Sequence, residues 1–183
     1  MSKHGELTAE IGKNLKFDGY DVYYDHGTSG DNVGKIVSWF GEKYRRKAEL
    51  SQLDIAVVQQ SSERYISALI EIEETNHKPK TLLGDVFATL LGEHFKFQGK
   101  HDLKVGVWTT LILMGKGNGS TADKVRIEFL KTNVNKLRSS QAKENMSVGE
   151  VVIELFKNKS ELEENLNKQI ELACNRAKQV LAG

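Results

Sequence analysis

The stretch Leu53-Asp54-Ile55-Ala56-Val57-Val58-Gln59-Gln60-Ser61-Ser62-Glu63-Arg64-Tyr65-Ile66-Ser67-Ala68-Leu69-Ile70-Glu71-Ile72-Glu73 decides the fold. Two apolar runs, Leu53 to Val58 and Tyr65 to Ile72, flank the polar segment Gln59 to Arg64. Short β-branched runs joined by a polar turn predict an antiparallel hairpin. Side chains alternate across a strand, so Ser67, Leu69, Glu71 and Glu73 share one face while Ile66, Ala68, Ile70 and Ile72 fill the other. The two glutamates therefore project side by side at the end of an otherwise apolar strand.

Working outward, Leu7, Ile11 and Leu15 repeat at helical spacing after a cap at His4-Gly5, which predicts a helix over about 5–17. Tyr20 to Tyr24 reads as a strand. The turn residues 27–32 precede Ile36, Val37, Trp39 and Phe40, a segment compatible with a helix or a short strand. After the hairpin, Pro79 suits a first helical turn. Leu83, Val86, Phe87, Leu90, Leu91 and Phe95 then predict a largely buried helix, with His94 on its apolar side. Lys104 to Met114 reads as a strand, and residues about 121–138 as a helix with Val125, Phe129, Val134 and Leu137 on its apolar stripe. Gly149 to Phe156 is a last strand. A capping box of Ser160 and Glu163 opens a final helix through Leu162, Leu166, Ile170, Ala173, Ala177 and Leu181. Strands interleaved with helices make this an α/β chain, with a central mixed sheet flanked by helices.

Its 183 residues, 39% of them hydrophobic, suit a single domain over 1–183. With 26 Lys and Arg against 25 Asp and Glu, no global field draws the chain to nucleic acid or an anionic membrane, so such contact must come from a local patch. Lys43, Arg45, Arg46 and Lys47 around Tyr44 are the densest basic cluster, suited to a phosphate backbone or to a plain solvated face. Cys174 is the only cysteine, which excludes an internal disulfide and a cysteine-rich zinc site and points to a reducing, cytoplasmic setting. Cys174 itself reads as buried filler. No apolar run approaches the roughly 18 residues of a membrane span, and the first residues carry no apolar leader core. His26, His77, His94 and His101 show no metal-ligand spacing. Gly115 to Ser120 lacks the order of a phosphate-binding Walker loop and reads as a flexible turn.

Asp54 repeats the oddity of Glu71 and Glu73, because it heads the partner strand of the hairpin. Charge in such places is costly to bury unless compensated, and a divalent cation compensates it well. Three carboxylates on adjacent strands make a hard oxygen site suited to Mg²⁺ or Mn²⁺. The bland alternative is a solvated acidic rim.

The order of these features resembles the PD-(D/E)XK nuclease superfamily: an acid in an N-terminal helix, Asp at a strand start, a hairpin, Glu-x-Lys or Glu-x-Glu, then a helix. The resemblance covers about Glu6 to Phe95 and implies a restriction-endonuclease-like fold. It makes Asp54 and Glu71 the metal-binding pair, the Ile72 carbonyl a further ligand and Glu10 the helical acid. Leu53 stands where proline is usual, and Glu73 where lysine is usual. Some restriction enzymes carry Glu there, to bind metal or to deprotonate the attacking water; Lys80 is a candidate migrated ammonium. The implied activity is Mg²⁺-dependent endonucleolytic hydrolysis of DNA, of restriction or repair type, by a homodimer where both strands are cut. The missing lysine keeps a second reading open, a catalytically weakened nuclease fold that binds DNA or a protein partner. Glu74, on the opposite face from Glu73, reads as solvated.

Overall fold

A computed structural model describes residues 5–41, 48–74, 79–98, 101–140 and 148–183. Its elements in chain order are α1 (Glu6–Asn14), β1 (Tyr20–Tyr24), β2 (Ile36–Trp39), β3 (Glu49–Leu53), β4 (Ile55–Gln59), β5 (Ile66–Glu73), α2 (Pro79–Leu90), β6 (His94–Phe97), β7 (His101–Leu103), β8 (Thr110–Lys116), α3 (Thr121–Ser140), β9 (Glu150–Phe156) and α4 (Lys159–Ala182). They form a mixed α/β fold built on two sheets. None of the described helices is long and apolar enough to cross a membrane.

The larger sheet runs β1-β4-β5-β8-β9. Its first three strands pair antiparallel, and β5, β8 and β9 pair parallel, with α2 and α3 in the crossovers. The predicted hairpin is β4–β5, and its apolar runs are nearly continuous because helices cover both faces of the sheet. One face, with Ile55, Val57, Ala68, Ile70 and Ile112, packs under α1 and α4 through Ile11, Leu162, Leu166 and Ile170. The other, with Ala56, Leu69, Leu111 and Leu113, packs under Leu82 and Val86 of α2, Leu130 of α3, and the second sheet. Ile66 joins this second group because the ladder shifts register between Val57 and Val58.

The smaller sheet, β3-β2-β6-β7, is antiparallel throughout. It was not visible in the sequence as a sheet, although the undecided segment 36–40 supplies its strand β2. Strand β3 ends at Leu53 and β4 begins at Ile55, so Asp54 is the single residue at which the chain leaves one sheet for the other.

Four expectations are corrected. The helix predicted to run through Phe95 stops at Leu90, where Gly92 donates to the Thr89 carbonyl at 3.1 Å. Phe95 is fully buried but in strand β6, and His94 is exposed on that strand, its ring 5.2 Å from Trp39. The strand expected over 104–114 is cut by a turn in which Thr109 Oγ1 accepts from Gly106 N at 3.1 Å and donates to the Ile66 carbonyl at 2.8 Å. On α3 the buried stripe is Ile127, Leu130 and Val134, at i, i+3 and i+7, while Val125 and Phe129 lie on the exposed side. Helix α4 is capped by Asn158 rather than Ser160: its side chain accepts from Glu161 N at 3.0 Å, and Glu161 reaches back to Lys157 N at 2.8 Å. Asn158→Ala is therefore expected to lower stability by about 1 kcal/mol, read by urea denaturation, whereas Ser160→Ala should change it by less than half of that.

Candidate functional site

The hairpin register builds the site. Ile55 faces Ile70 and Ala56 faces Leu69, and Asp54, the residue just before β4, stands beside Glu71 of β5, close enough for the two carboxyls to interact. Like charges so placed on neighbouring strands repel. Asp54 is fixed at the sheet corner by two bonds. Its carbonyl accepts from Asp25 N at 2.9 Å, and its Oδ2 accepts from Ile72 N at 2.7 Å. Both carboxylates line a cavity of about 420 Å³ between the strand ends, α1 and α2, together with Glu73, Asp85 and His26.

The electrostatics of this cavity are dominated by its carboxyl groups. Burial pushes the Asp54 carboxyl from 3.8 up to about 6, against the bond from Ile72 and the nearby His26, which favour its charge. Glu71 is pushed well above the usual carboxylate range by burial first, then by the charges of Asp54 and Asp85. Asp85 is raised as well, by burial and then by Glu73. Among the described residues lining the cavity there is no lysine or arginine.

Of the residues expected from sequence, Asp54, Glu71, Ile72 and Glu73 come together here. Since a strand residue turns its N–H and C=O to the same edge, the Ile72 carbonyl lies on the Asp54 side of β5. Glu10 does not join them. It pairs with Lys159 Nζ at 2.6 Å, and it lies about 200° around α1 from Thr8, the residue that does face the cavity. Lys80 is exposed and does not line the cavity. Glu74 is half-buried rather than solvated: Thr8 N and Oγ1 both donate to its Oε1 at 3.2 Å, tying α1 to the end of β5. The basic cluster Lys43, Arg45, Arg46 and Lys47 lies outside the described residues, as does His77. Cys174 is buried, as expected, and its thiol is pushed up to about 11 by burial.

Two site residues were missed. Asp85 shares the buried stripe of α2 with Leu82, Val86 and Thr89, at i, i+3, i+4 and i+7; an acid on that stripe was a readable signal. His26 gave no signal in sequence spacing, yet its Nε2 lies 4.0 Å from Asp54 Oδ1.

No protein-family model, curated protein or solved structure matches this chain. The chemistry of the site therefore rests on its own donors. Among the described residues, no three His, Cys, Asp or Glu side chains stand grouped as a ready-made metal cage. The donor set nonetheless fits a hard divalent cation, because the half-buried carboxylates of Asp54 and Glu71 share a cavity lined, among the described residues, by no lysine or arginine. Mg²⁺ in particular is commonly held by one or two carboxylates plus waters and substrate phosphate, not by an all-protein cage.

Proposed function

We propose that this chain is a Mg²⁺- or Mn²⁺-dependent DNA endonuclease of restriction-endonuclease-like fold. The observation that supports it most is that Asp54, at the corner of the two sheets, shares one cavity with Glu71 and Glu73. The element order agrees with the resemblance noted above: α1, Asp54 at the head of β4, the β4–β5 hairpin carrying Glu71-Ile72-Glu73, then α2.

In this reading Asp54 and Glu71 would hold the cation, with the Ile72 carbonyl as a further ligand. Such an ion lowers the pKa of a bound water and offsets charge growing on the phosphate. Glu73 accepts one proton of the attacking water as its oxygen bonds to phosphorus, the phosphodiester P–O bond breaks, and the leaving alkoxide oxygen takes a proton from solvent water. Partial burial of the carboxylates strengthens their attraction for a cation. Lys43, Arg45, Arg46 and Lys47 supply cations for backbone phosphates. A homodimer follows where both strands are cut.

A second reading, a weakened nuclease fold that binds DNA or a protein partner without cutting, is favoured by one observation: no ammonium or guanidinium lines the cavity among the described residues. Cleavage of plasmid and short duplex DNA with Mg²⁺ or Mn²⁺ separates the two. Nicking by the wild type that is lost in folded Asp54→Ala and Glu71→Ala supports the endonuclease. DNA binding without cleavage under any of these conditions moves the assignment to the second reading.

A further inference from the structure

We propose that His26 is a second catalytic group of this cavity, its imidazole Nε2–H donating to a non-bridging oxygen of the phosphodiester held against Asp54 and Glu71. The inference rests on the phosphodiesterase reading above and names the donor that the usual lysine would otherwise provide.

Three features place the exposed His26 at the rim of the cavity. The backbone of His26 has φ +64, a left-handed conformation that few non-glycine residues adopt and that clusters at functional sites. Its ring lies against Gly5, at the N-terminus of α1 with φ +85, where any Cβ would come within 2.4 Å of the imidazole Cγ. Only glycine admits the ring there. The segment is also bonded to the acid it faces: Asp25 Oδ1 accepts from His26 N at 2.7 Å, while Asp25 N donates to the Asp54 carbonyl at 2.9 Å. Gln52 binds the other oxygen of Asp25.

The separation of Nε2 from Asp54 Oδ1, 4.0 Å, is too long for a hydrogen bond. It is close enough that a phosphate approaching the Asp54–Glu71 pair comes within reach of the imidazole. The cavity is otherwise acidic, with Asp54, Glu71, Glu73 and Asp85 on its walls. A polyanionic substrate entering it needs an N–H donor near the reacting phosphate, and position 73, where the resembling nucleases carry lysine, holds a carboxylate. His26 supplies that donor from the opposite wall, from a turn and not from the strand.

The test measures Mn²⁺-dependent cleavage of a fluorescent duplex by wild type, His26→Ala and His26→Asn, together with thermal stability and Mn²⁺ affinity. Loss of a preorganised donor to a reacting oxygen lowers kcat by about 100-fold in His26→Ala, with KM and Mn²⁺ affinity little changed. Added free imidazole should recover part of the lost rate, and His26→Asn, which keeps an N–H donor, should fall between the two. Full activity in His26→Ala overturns the proposal. So does a loss that follows reduced stability or Mn²⁺ affinity and is not rescued by imidazole, since the ring then only fills a turn. An inert wild type is a separate outcome that overturns the phosphodiesterase reading and this inference with it.

Discussion

Asp54→Asn is expected to raise the stability of the metal-free protein at neutral pH, the opposite of what most substitutions of a half-buried, hydrogen-bonded residue do. The asparagine oxygen keeps the acceptor for Ile72 N and removes the charge facing Glu71. Burial pushes the folded-state pKa of the Asp54 carboxyl up to about 6, from 3.8 for an unperturbed aspartate. A carboxyl whose pKa is higher folded than unfolded favours folding in acid. Stability is retained below the unfolded value, falls as pH rises through the interval between 3.8 and about 6, and stays reduced above it. That shift corresponds to about 2–3 kcal/mol at neutral pH, or roughly 5 °C or more in Tm for a chain of this size. Thermal melts in EDTA should show the wild type losing stability across this interval relative to Asp54→Asn, with the variant melting higher at pH 7. Equal melting at pH 4 and pH 7 for the pair, or a variant that melts lower at pH 7, would mean that the Asp54 charge is already compensated within the fold.

The second large effect concerns the contact between the sheets. Phe97 of β6 is fully buried and stacks on Tyr23 of β1, ring centroids 4.2 Å apart and planes 18° from parallel. The pair joins the smaller sheet to the first strand of the larger one. Phe97→Ala should cost about 3–5 kcal/mol by chemical denaturation, through lost transfer energy and the cavity left behind. Because both sheets share one core cluster, the loss should move a single unfolding transition. A second, earlier transition in the variant would show that the smaller sheet unfolds on its own, and the Asp54 corner would then lack a fixed support.

Much of the site was legible because strand alternation is a strict rule. Once β4 and β5 are paired, the faces of Asp54, Glu71 and Glu73 follow from counting by two. The smaller sheet was not legible. Its strands β2, β3, β6 and β7 are only three to five residues long, and its members come from three separated parts of the chain. The apolar residues of α2 run into those of β6 with only Gly92 as punctuation, so a helical period was extended through a strand. Glu10 and Asp85 show the same limit in reverse. Both are acids near an apolar helical stripe; Asp85 stands on its stripe and could have been read, whereas only packing shows that α1 turns Thr8, not Glu10, to the cavity. His26 depends on a left-handed turn and on a glycine twenty-one residues earlier, a juxtaposition with no sequence period.

The most direct test of the central claim is calorimetric titration of the purified, metal-free protein with Mn²⁺, repeated for Asp54→Asn and Glu71→Gln. The expected result is saturable binding by the wild type, with Tm rising as the ion is added, and loss of that binding in both variants while each stays folded. Absence of Mn²⁺ binding by the wild type, or equal binding in all three proteins, would contradict the account.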